Sequence, residues 1–579
     1  MEYILIPNQG NLVTYSHLLL EQKVLAIDSE TTGLSVFTSK MRLLQIATYN
    51  NPVIVIDMFN ISDNDRIFLQ ELLKNDSTKV FQNAKFDLSF LKYNNYIVNG
   101  AIFDTMIAGR LLRGPSGPFR VNLAELTRFY LGETLEKDEQ TSDFSKALTP
   151  SQLTYAAKDA YILLQLKQIM QSDLASAKLL DIAKIEFSCI NALVDLELSG
   201  IKIDKLQLAN YREKVLNDVH IYLEKLNSYI KNKVIQQTFF GEAKNSTINF
   251  NSQKQVLKFL QENGIAITDT STSSLALYSS HPIIITLKKY RKAHKLYSGF
   301  LDSLPKNINP KTNRIHASYS QIGASSGRMS CHNPNMQQMP RDKKFRKLFI
   351  PEAGNCFIIA DYSQVELRIA AEISKDTRMI NAYANNEDLH KLTAALITNT
   401  PINDITKNQR QAAKAVNFGL VFGMGSKGLQ AYSHDIYNIS ISLEQADMFR
   451  NQFFKAYSGI KKWHDHLKAN PPSVARSLTG RRYFYTSKTG FSSFCNTPVQ
   501  GSAADLMKAA LGDLHKEISN SDIHIIAVIH DEVLLECPIE KAKSTKILLK
   551  NIMENAGKSF LKLIPLVADV KIASSWAEK

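Results

Sequence analysis

Carboxylates are the residues of this 579-residue chain whose spacing first suggests chemistry. Asp28 and Glu30 stand two apart at the end of an apolar run, VLAID, so on a strand both project from one face. Asp87 lies in NAKFDLSFL, and in YAAKDAYILL Tyr155 and Asp159 are four apart, on one helix face. Four carboxylates and a tyrosine suit a phosphodiesterase that uses two metal ions. Hard Mg²⁺ or Mn²⁺ ions take oxygen ligands, activate a water and stabilise the leaving oxygen. Singly, each residue has a plainer reading, Asp159 as a solvated helix residue above all.

A second set begins in FIIADYSQVELRIAAE, residues 357–372. Phe357 to Ala360 reads as a buried strand, which ends on Asp361 where a helical pattern with Val365 and Ile369 on one face begins. A carboxylate at the mouth of a buried strand is costly unless paired, hydrogen-bonded or bound to a cation. Alternatively Ser363 and Glu366 form a capping box and Asp361 only starts the helix. In NQRQAAKAVNFGLVFGMG, Arg410, Lys414, Phe418 and Phe422 recur every four residues. One helix face would then offer cations for the phosphates of a nucleoside triphosphate and rings for its base and sugar. An amphipathic core helix with two surface charges is the alternative. HIIAVIHDEVLLEC (524–537) reads as a hairpin turning at His530-Asp531-Glu532, where a tight turn would favour Asn-Gly or Asp-Gly. The loop-rich stretch 314–340 offers Arg328, Asn333, Gln337 and Gln338, side chains able to contact phosphate, sugar and minor-groove acceptors, or simply a surface loop. In NTPVQGSAADLMKAALGDL, Pro498 is read as preceding a helix that begins near Gln500.

The first 170 residues alternate strand and helix patterns, the mark of an α/β domain. Strands are expected at 24–28, 43–49 and 52–58, and a helix over 152–171. A helical connector (171–204) follows, broken by Gly200. Long amphipathic helices fill 205–300, with a polar loop in NSTINFNSQKQVLKFL ahead of one of them. The net charge of +14 divides unevenly. Residues 1–180 hold 17 Lys+Arg against 19 Asp+Glu, leaving 52 against 36 for the rest, so the C-terminal two thirds suits a polyanion. No run of 18 apolar residues and no signal-like N-terminus are found, which argues against a secreted or membrane-spanning protein. Five scattered cysteines, never CxxC, fit a reduced compartment without structural zinc.

DSETTGL, NAKFDLSFL and YAAKDAYILL resemble the three motifs of the DEDD 3′–5′ exonucleases, in the subclass with a third-motif tyrosine. DYSQVELR, RQAAKAVNFGLVFG and HDEV are similar to motifs A, B and C of the family A DNA polymerases, the bacterial DNA polymerase I type. SGRMS, PNMQQMP, DLHKLTA and PVQGSAADLMK fall in the family's order, and the likeness runs from about residue 20 to the C-terminus. It implies a ribonuclease H-like α/β exonuclease domain with a mixed sheet, followed by an α+β right-hand polymerase. The implied parcels are 1–180 exonuclease, 181–325 connector and helical thumb, 326–385 palm, 386–480 fingers and 481–579 the rest of the palm.

The resemblance also implies roles. Asp28, Glu30, Asp87 and Asp159 would bind one metal pair, with Tyr155 orienting the attacking water. Asp361 and Asp531, with the Tyr362 carbonyl, would hold a second pair. Both pairs are expected to be Mg²⁺, with Mn²⁺ as a substitute. Gln364, Glu366, His390, Arg410, Lys414, Phe418 and Phe422 would surround the incoming nucleotide. Of these, Glu366 would exclude a 2′-hydroxyl, Phe418 would pack on the nucleotide, and Lys414 would protonate pyrophosphate. Arg328, Gln337, Gln500, His530 and Glu532 would touch DNA. Asp104, in FDT, is expected to be structural. The partners implied are primer–template DNA and dNTPs, with the protein a monomer, cytoplasmic, or in an organelle matrix if a presequence has been removed.

Some positions depart from the pattern. Gln82 stands where relatives often have His, Phe144 where they often have Trp, Phe422 where tyrosine is usual, and Ser492 where arginine is common. No stretch corresponds to a 5′-nuclease domain, so the chain looks like the compact exonuclease-plus-polymerase enzymes of phages, plasmids and some organelles. Two alternative readings are a nuclease with a polymerase-like clamp and a relative of single-subunit RNA polymerases. The intact Asp361/Asp531 pair argues against the first, and the exonuclease motifs with Glu366 against the second.

Overall fold

The computed structural model describes residues 2–114, 120–135, 139, 141–230, 235–237, 243–245, 248–437 and 439–579. Residues 246 and 247 of the polar loop expected before a helix lie outside them; the helix itself runs Gln253–Glu262.

The N-terminal part is built on strands β1 (Tyr3–Ile6), β2 (Val24–Thr31), β3 (Met41–Ala47), β4 (Val53–Asp57), β5 (Thr78–Phe81) and β6 (Ile102–Asp104). They form one mixed sheet, β1-β4-β3-β2-β5-β6. β2, β3 and β4 pair antiparallel, whereas β1, β5 and β6 join parallel to their neighbours. β3 and β4 are buried along their whole length, which is why their sequences read as unbroken apolar runs rather than as alternation. The Pro150–Ser176 helix packs on β2 and β3. A capping box of Thr149 and Gln152 starts it, with Pro150 in the first turn, where a missing N–H costs nothing.

The next helix, Leu180–Ser199, has two apolar faces. Ile182, Ile190 and Val194 enter the core of the first sheet; Cys189, Leu193 and Leu196 enter a second core that extends to Trp576. Gly200 ends the helix at φ +58°, which a side chain would strain. A buried ion cluster fastens this helix to the C-terminal half. Glu186 meets Arg481 and Lys508, Arg481 also meets Asp505, and none of the four is more than 1% exposed.

The second core surrounds a four-stranded antiparallel sheet in the order His524–Ile529, Glu532–Pro538, Asn355–Tyr362, Ala568–Ala573. Among the helices between its first strand in sequence and the next are five consecutive ones, Leu389–Thr398, Lys407–Val421, Ser426–Tyr437, Leu443–Ala456 and Ser458–Ala469.

Three local expectations are corrected. The helix expected to begin near Gln500 runs Phe491–Ile518 with Pro498 inside it. Proline removes one backbone donor, and burial of Cys495, Pro498 and Val499 on the same helix outweighs that loss. The hairpin turns on His530-Asp531 alone, His530 at φ +57°, because Glu532 already pairs with Ile529 as the first residue of the returning strand. Ser363 and Glu366 form no capping box. The helix starts at Val365 behind a left-handed Gln364 that makes no side-chain cap.

Candidate active sites

The first site lies where β2 meets the Pro150–Ser176 helix. Carboxylate oxygens of Asp28, Glu30 and Asp159 all come within 4.8 Å of one another. Asp28 and Glu30 share a face of β2, as period-two geometry requires. Asp87 joins through Ser29, whose hydroxyl donates to its Oδ1 at 2.6 Å. The Ala84–Tyr93 helix that carries Asp87 begins after a left-handed Asn83. Its start is fixed by Asp104, which is buried and accepts from the N–H of Ala84 at 2.7 Å and of Ile107 at 2.9 Å. Gln82 is engaged structurally as well, donating to the Val121 carbonyl at 2.9 Å.

Burial, then mutual repulsion, raises the pKa of these carboxyls. Asp28 moves well up, burial first and Asp87 next. Glu30 is pushed to about 8, by burial and then Asp159. Burial takes Asp87 to about 7 against the Ser29 bond, and Asp159 to about 6 against the hydroxyl of Tyr155. Burial and the neighbouring Asp159 also drive the Tyr155 phenol upward, so it stays a neutral donor. Crowded, buried carboxylate oxygens of this kind are the donor set of a hard divalent cation, whose charge would reverse those shifts.

The second site occupies a cavity of about 630 Å³ between the four-stranded sheet and the Lys407–Val421 helix. Asp361 sits near the end of its strand, opposite Glu532 on one side and Asp569 on the other. Asp531 is carried on the neighbouring turn, and its carbonyl accepts from the Tyr362 N–H at 3.2 Å. Tyr362 is itself anchored, its hydroxyl donating to the Met553 carbonyl at 2.8 Å. Burial raises Asp361, opposed by the Lys579 ammonium, and raises Asp531, opposed by Arg328. Lys579 reaches both Asp361, at 3.0 Å, and Glu532. Glu532 is buried further by the Trp576 indole N–H, which donates at 2.7 Å. An ammonium already lies among these oxygens, so the site suits positive charge.

Across the cavity, a capping box of Thr406 and Gln409 starts the Lys407–Val421 helix. Arg410 is held by Asp388, Nε to Oδ2 2.7 Å. Lys414 makes no hydrogen bond or ion pair among the described residues and faces the cavity half-buried with Phe418. His390 lies near the Phe418 ring, with centroids 6.0 Å apart, and burial lowers its pKa to about 4, so it is neutral. Glu366 lines the cavity and is ion-paired with Arg328, which occupies the adjoining cleft beside Ala503, Met507 and Asp531.

The cavity thus brings together Gln337, Asp361, Tyr362, Gln364, Glu366, His390, Arg410, Lys414, Phe418, His530, Asp531 and Glu532. Phe422 follows the last turn of its helix as the C-cap residue and does not line the cavity; nor does Gln500. Sequence reasoning missed Arg341, Arg346 and Lys579, which line it too. Basic residues near chain positions without a motif give no signal. Asp388 was legible in principle, as the acidic N-cap of the His390 helix.

Residues 220–578 match the model of DNA polymerase family A, and residues 3–175 match that of a 3′–5′ exonuclease. The chain is 33% identical to a DNA polymerase I of Aquifex aeolicus, across 100% of both chains. It is 31% identical to a DNA polymerase I of Borreliella burgdorferi, across 97% of this chain and 63% of that one. A solved structure, the POL domain of Pol1 from M. smegmatis in complex with DNA primer-template and dNTP, superimposes with a TM-score of 0.83 over 98% of each chain. At 23% identity that likeness is one of fold.

Proposed function

Because this chain belongs to DNA polymerase family A and carries a 3′–5′ exonuclease domain, we propose that it extends primer 3′ ends on a DNA template with dNTPs and hydrolyses mispaired ends at the carboxylate site of Asp28, Glu30, Asp87 and Asp159. The observation that carries this reading is the pairing, in one cavity, of the Asp361/Asp531 carboxylates with the Arg410, Lys414 and Phe418 face of the opposite helix. The four-stranded sheet would be the palm, the five helices opposite it the fingers, and the helices of 205–300 the thumb. Residues 1–180 would be the proofreading domain.

Divalent ions of the Mg²⁺ type, held by Asp361, Asp531 and the Tyr362 carbonyl in one site and by Asp28, Glu30, Asp87 and Asp159 in the other, would activate the attacking hydroxyl or water and stabilise the leaving oxygen. Arg410 and Lys414 would take the triphosphate, and unpaired Lys414 would hand its proton to the departing pyrophosphate. The Phe418 ring would support the sugar and base, with neutral His390 beside it at the phosphates. Glu366, with Arg328 fixing its carboxylate, would fill the space a 2′-hydroxyl needs. In the exonuclease site, the neutral Tyr155 phenol would orient the water.

The excess of positive charge after residue 180 supports a nucleic-acid substrate for that part, as does the primer-template and dNTP in the related structure's complex. Primer extension on one DNA template with dNTPs, with rNTPs and with neither tests the reading. Extension by dNTPs alone and shortening without nucleotides are expected. Extension by rNTPs would favour an RNA polymerase, and shortening alone a nuclease with a binding clamp.

A further inference from the structure

On β3, Gln45 is fully buried, and neither its amide nitrogen nor its amide oxygen has a hydrogen-bond partner among the described residues. No other side-chain amide among them is buried without a partner at both ends. Such an amide costs stability, and an apolar side chain of the same length would fill the position without that cost. A polar group kept on those terms marks a place where function overrides packing.

The strand register shows which group it faces. Gln45 stands directly opposite Asp28 on β2 and directly opposite Val55 on β4. Opposed residues project from one face of a sheet, and Leu43 and Ala47, two positions away along β3, share that face. Asp28 is the one polar side chain among these neighbours. The Pro150–Ser176 helix covers β2 and β3 on the same side, since its Asp159 carboxylate meets those of Asp28 and Glu30. Gln45 is therefore enclosed between strand and helix at the edge of the carboxylate cluster.

The Cβ atoms of a directly opposed pair lie ~4.5–5.5 Å apart, so side-chain rotation alone can join the Gln45 amide to the Asp28 carboxylate. An ionised carboxylate only accepts hydrogen bonds, and the amide nitrogen only donates them. We infer that Gln45 is a positioning residue of this site: with a divalent cation of the Mg²⁺ type on the carboxylates, its Nε2 donates to Asp28 and holds that carboxylate toward the ion. Ligating carboxylates are held by outer hydrogen bonds of this kind, and losing one weakens ion binding. The inference rests on the exonuclease reading above. The plainer reading, a core glutamine that serves packing alone, makes the opposite forecast.

Mn²⁺ binding decides between them. Gln45→Met keeps the side-chain length and removes both polar atoms. Calorimetric titration uses the full chain in an Asp361→Ala background, so that the ion is counted at the Asp28 site. Gln45→Met should lower the affinity there ~10–100-fold. Its melting temperature in EDTA should not fall, because no hydrogen bond is lost. Shortening of a labelled 3′ end should drop at limiting Mn²⁺ and recover in excess. Gln45→Asn, which keeps an amide, should lose less affinity than Gln45→Met, and Gln45→Leu repeats the comparison if the methionine variant does not fold. A folded apolar variant that binds Mn²⁺ as its parent does overturns the inference. So does a loss of shortening that excess Mn²⁺ fails to restore. A parent that neither binds Mn²⁺ at this site nor shortens 3′ ends would overturn the exonuclease reading and the inference together.

Discussion

The Lys579 ammonium lies 3.0 Å from the Asp361 carboxylate and also reaches Glu532, so a side chain of the protein supplies positive charge among the carboxylates of the second site. A divalent ion bound at Asp361 must compete with it. Lys579→Met should therefore tighten Ca²⁺ or Mn²⁺ binding. Lys579 is about a third exposed (35%), and a pair of that kind is worth ~1 kcal/mol at most, so the gain should be no more than roughly fivefold. Calorimetric titration in the absence of DNA measures it. Unchanged or weaker affinity would mean the ammonium does not oppose the ion.

Glu366, at the wall of the cavity that holds Asp361 and Asp531, is ion-paired with Arg328. Because no cap bond is lost at the Val365 helix start, Glu366→Ala should cost only about 1 kcal/mol of stability, from the unpaired arginine. If the carboxylate excludes the 2′-hydroxyl, rNTP use relative to dNTP should rise at least about a hundredfold. Arg328→Ala should raise it less, by loosening Glu366. The two ratios are measured in an Asp28→Ala background; a Glu366→Ala ratio equal to that of the parent would remove Glu366 from sugar selection.

His464 couples the Lys407–Val421 helix to the Ser458–Ala469 helix and lines neither carboxylate site. Burial lowers its folded pKa to about 4, against ~6.5 when unfolded. Between those values the unfolded state binds the extra proton, so stability is present above pH 6.5 and falls as pH drops toward 4, by roughly 3 kcal/mol in all. His464→Gln keeps a donor for the Val421 carbonyl and removes the titration. The melting temperature of the wild type should fall faster than that of the variant from pH 6.5 to 4.5. Parallel curves would mean the imidazole is not held neutral.

What the sequence made legible was local. Asp28 with Glu30, and Tyr155 with Asp159, follow from the periods of one strand and one helix. Asp361 stood out because an apolar run ended on it. The unread features come from residues far apart in sequence. Glu186 and Arg481 are 295 positions apart, and on their own segments they read as ordinary surface charges. Lys579 reaches the cavity because the last strand pairs with the Asp361 strand and the chain beyond it brings Trp576 to Glu532, and Arg346 lies over the Trp576 ring. Phe422 fitted the four-residue stripe, but the helix stops at Val421, so the stripe loses its last member. Pro498 misled in the opposite direction, since a long buried helix tolerates it.

Two separate carboxylate sites, one at Asp28 and one at Asp361, would serve two reactions. The most direct measurement follows one labelled primer–template, with and without dNTPs, on Asp28→Ala and Asp361→Ala proteins that melt like the wild type. Asp28→Ala should abolish shortening of the 3′ end while extension persists, and Asp361→Ala should abolish extension while shortening persists. Loss of both activities from either single change in a folded protein would contradict the two-site account.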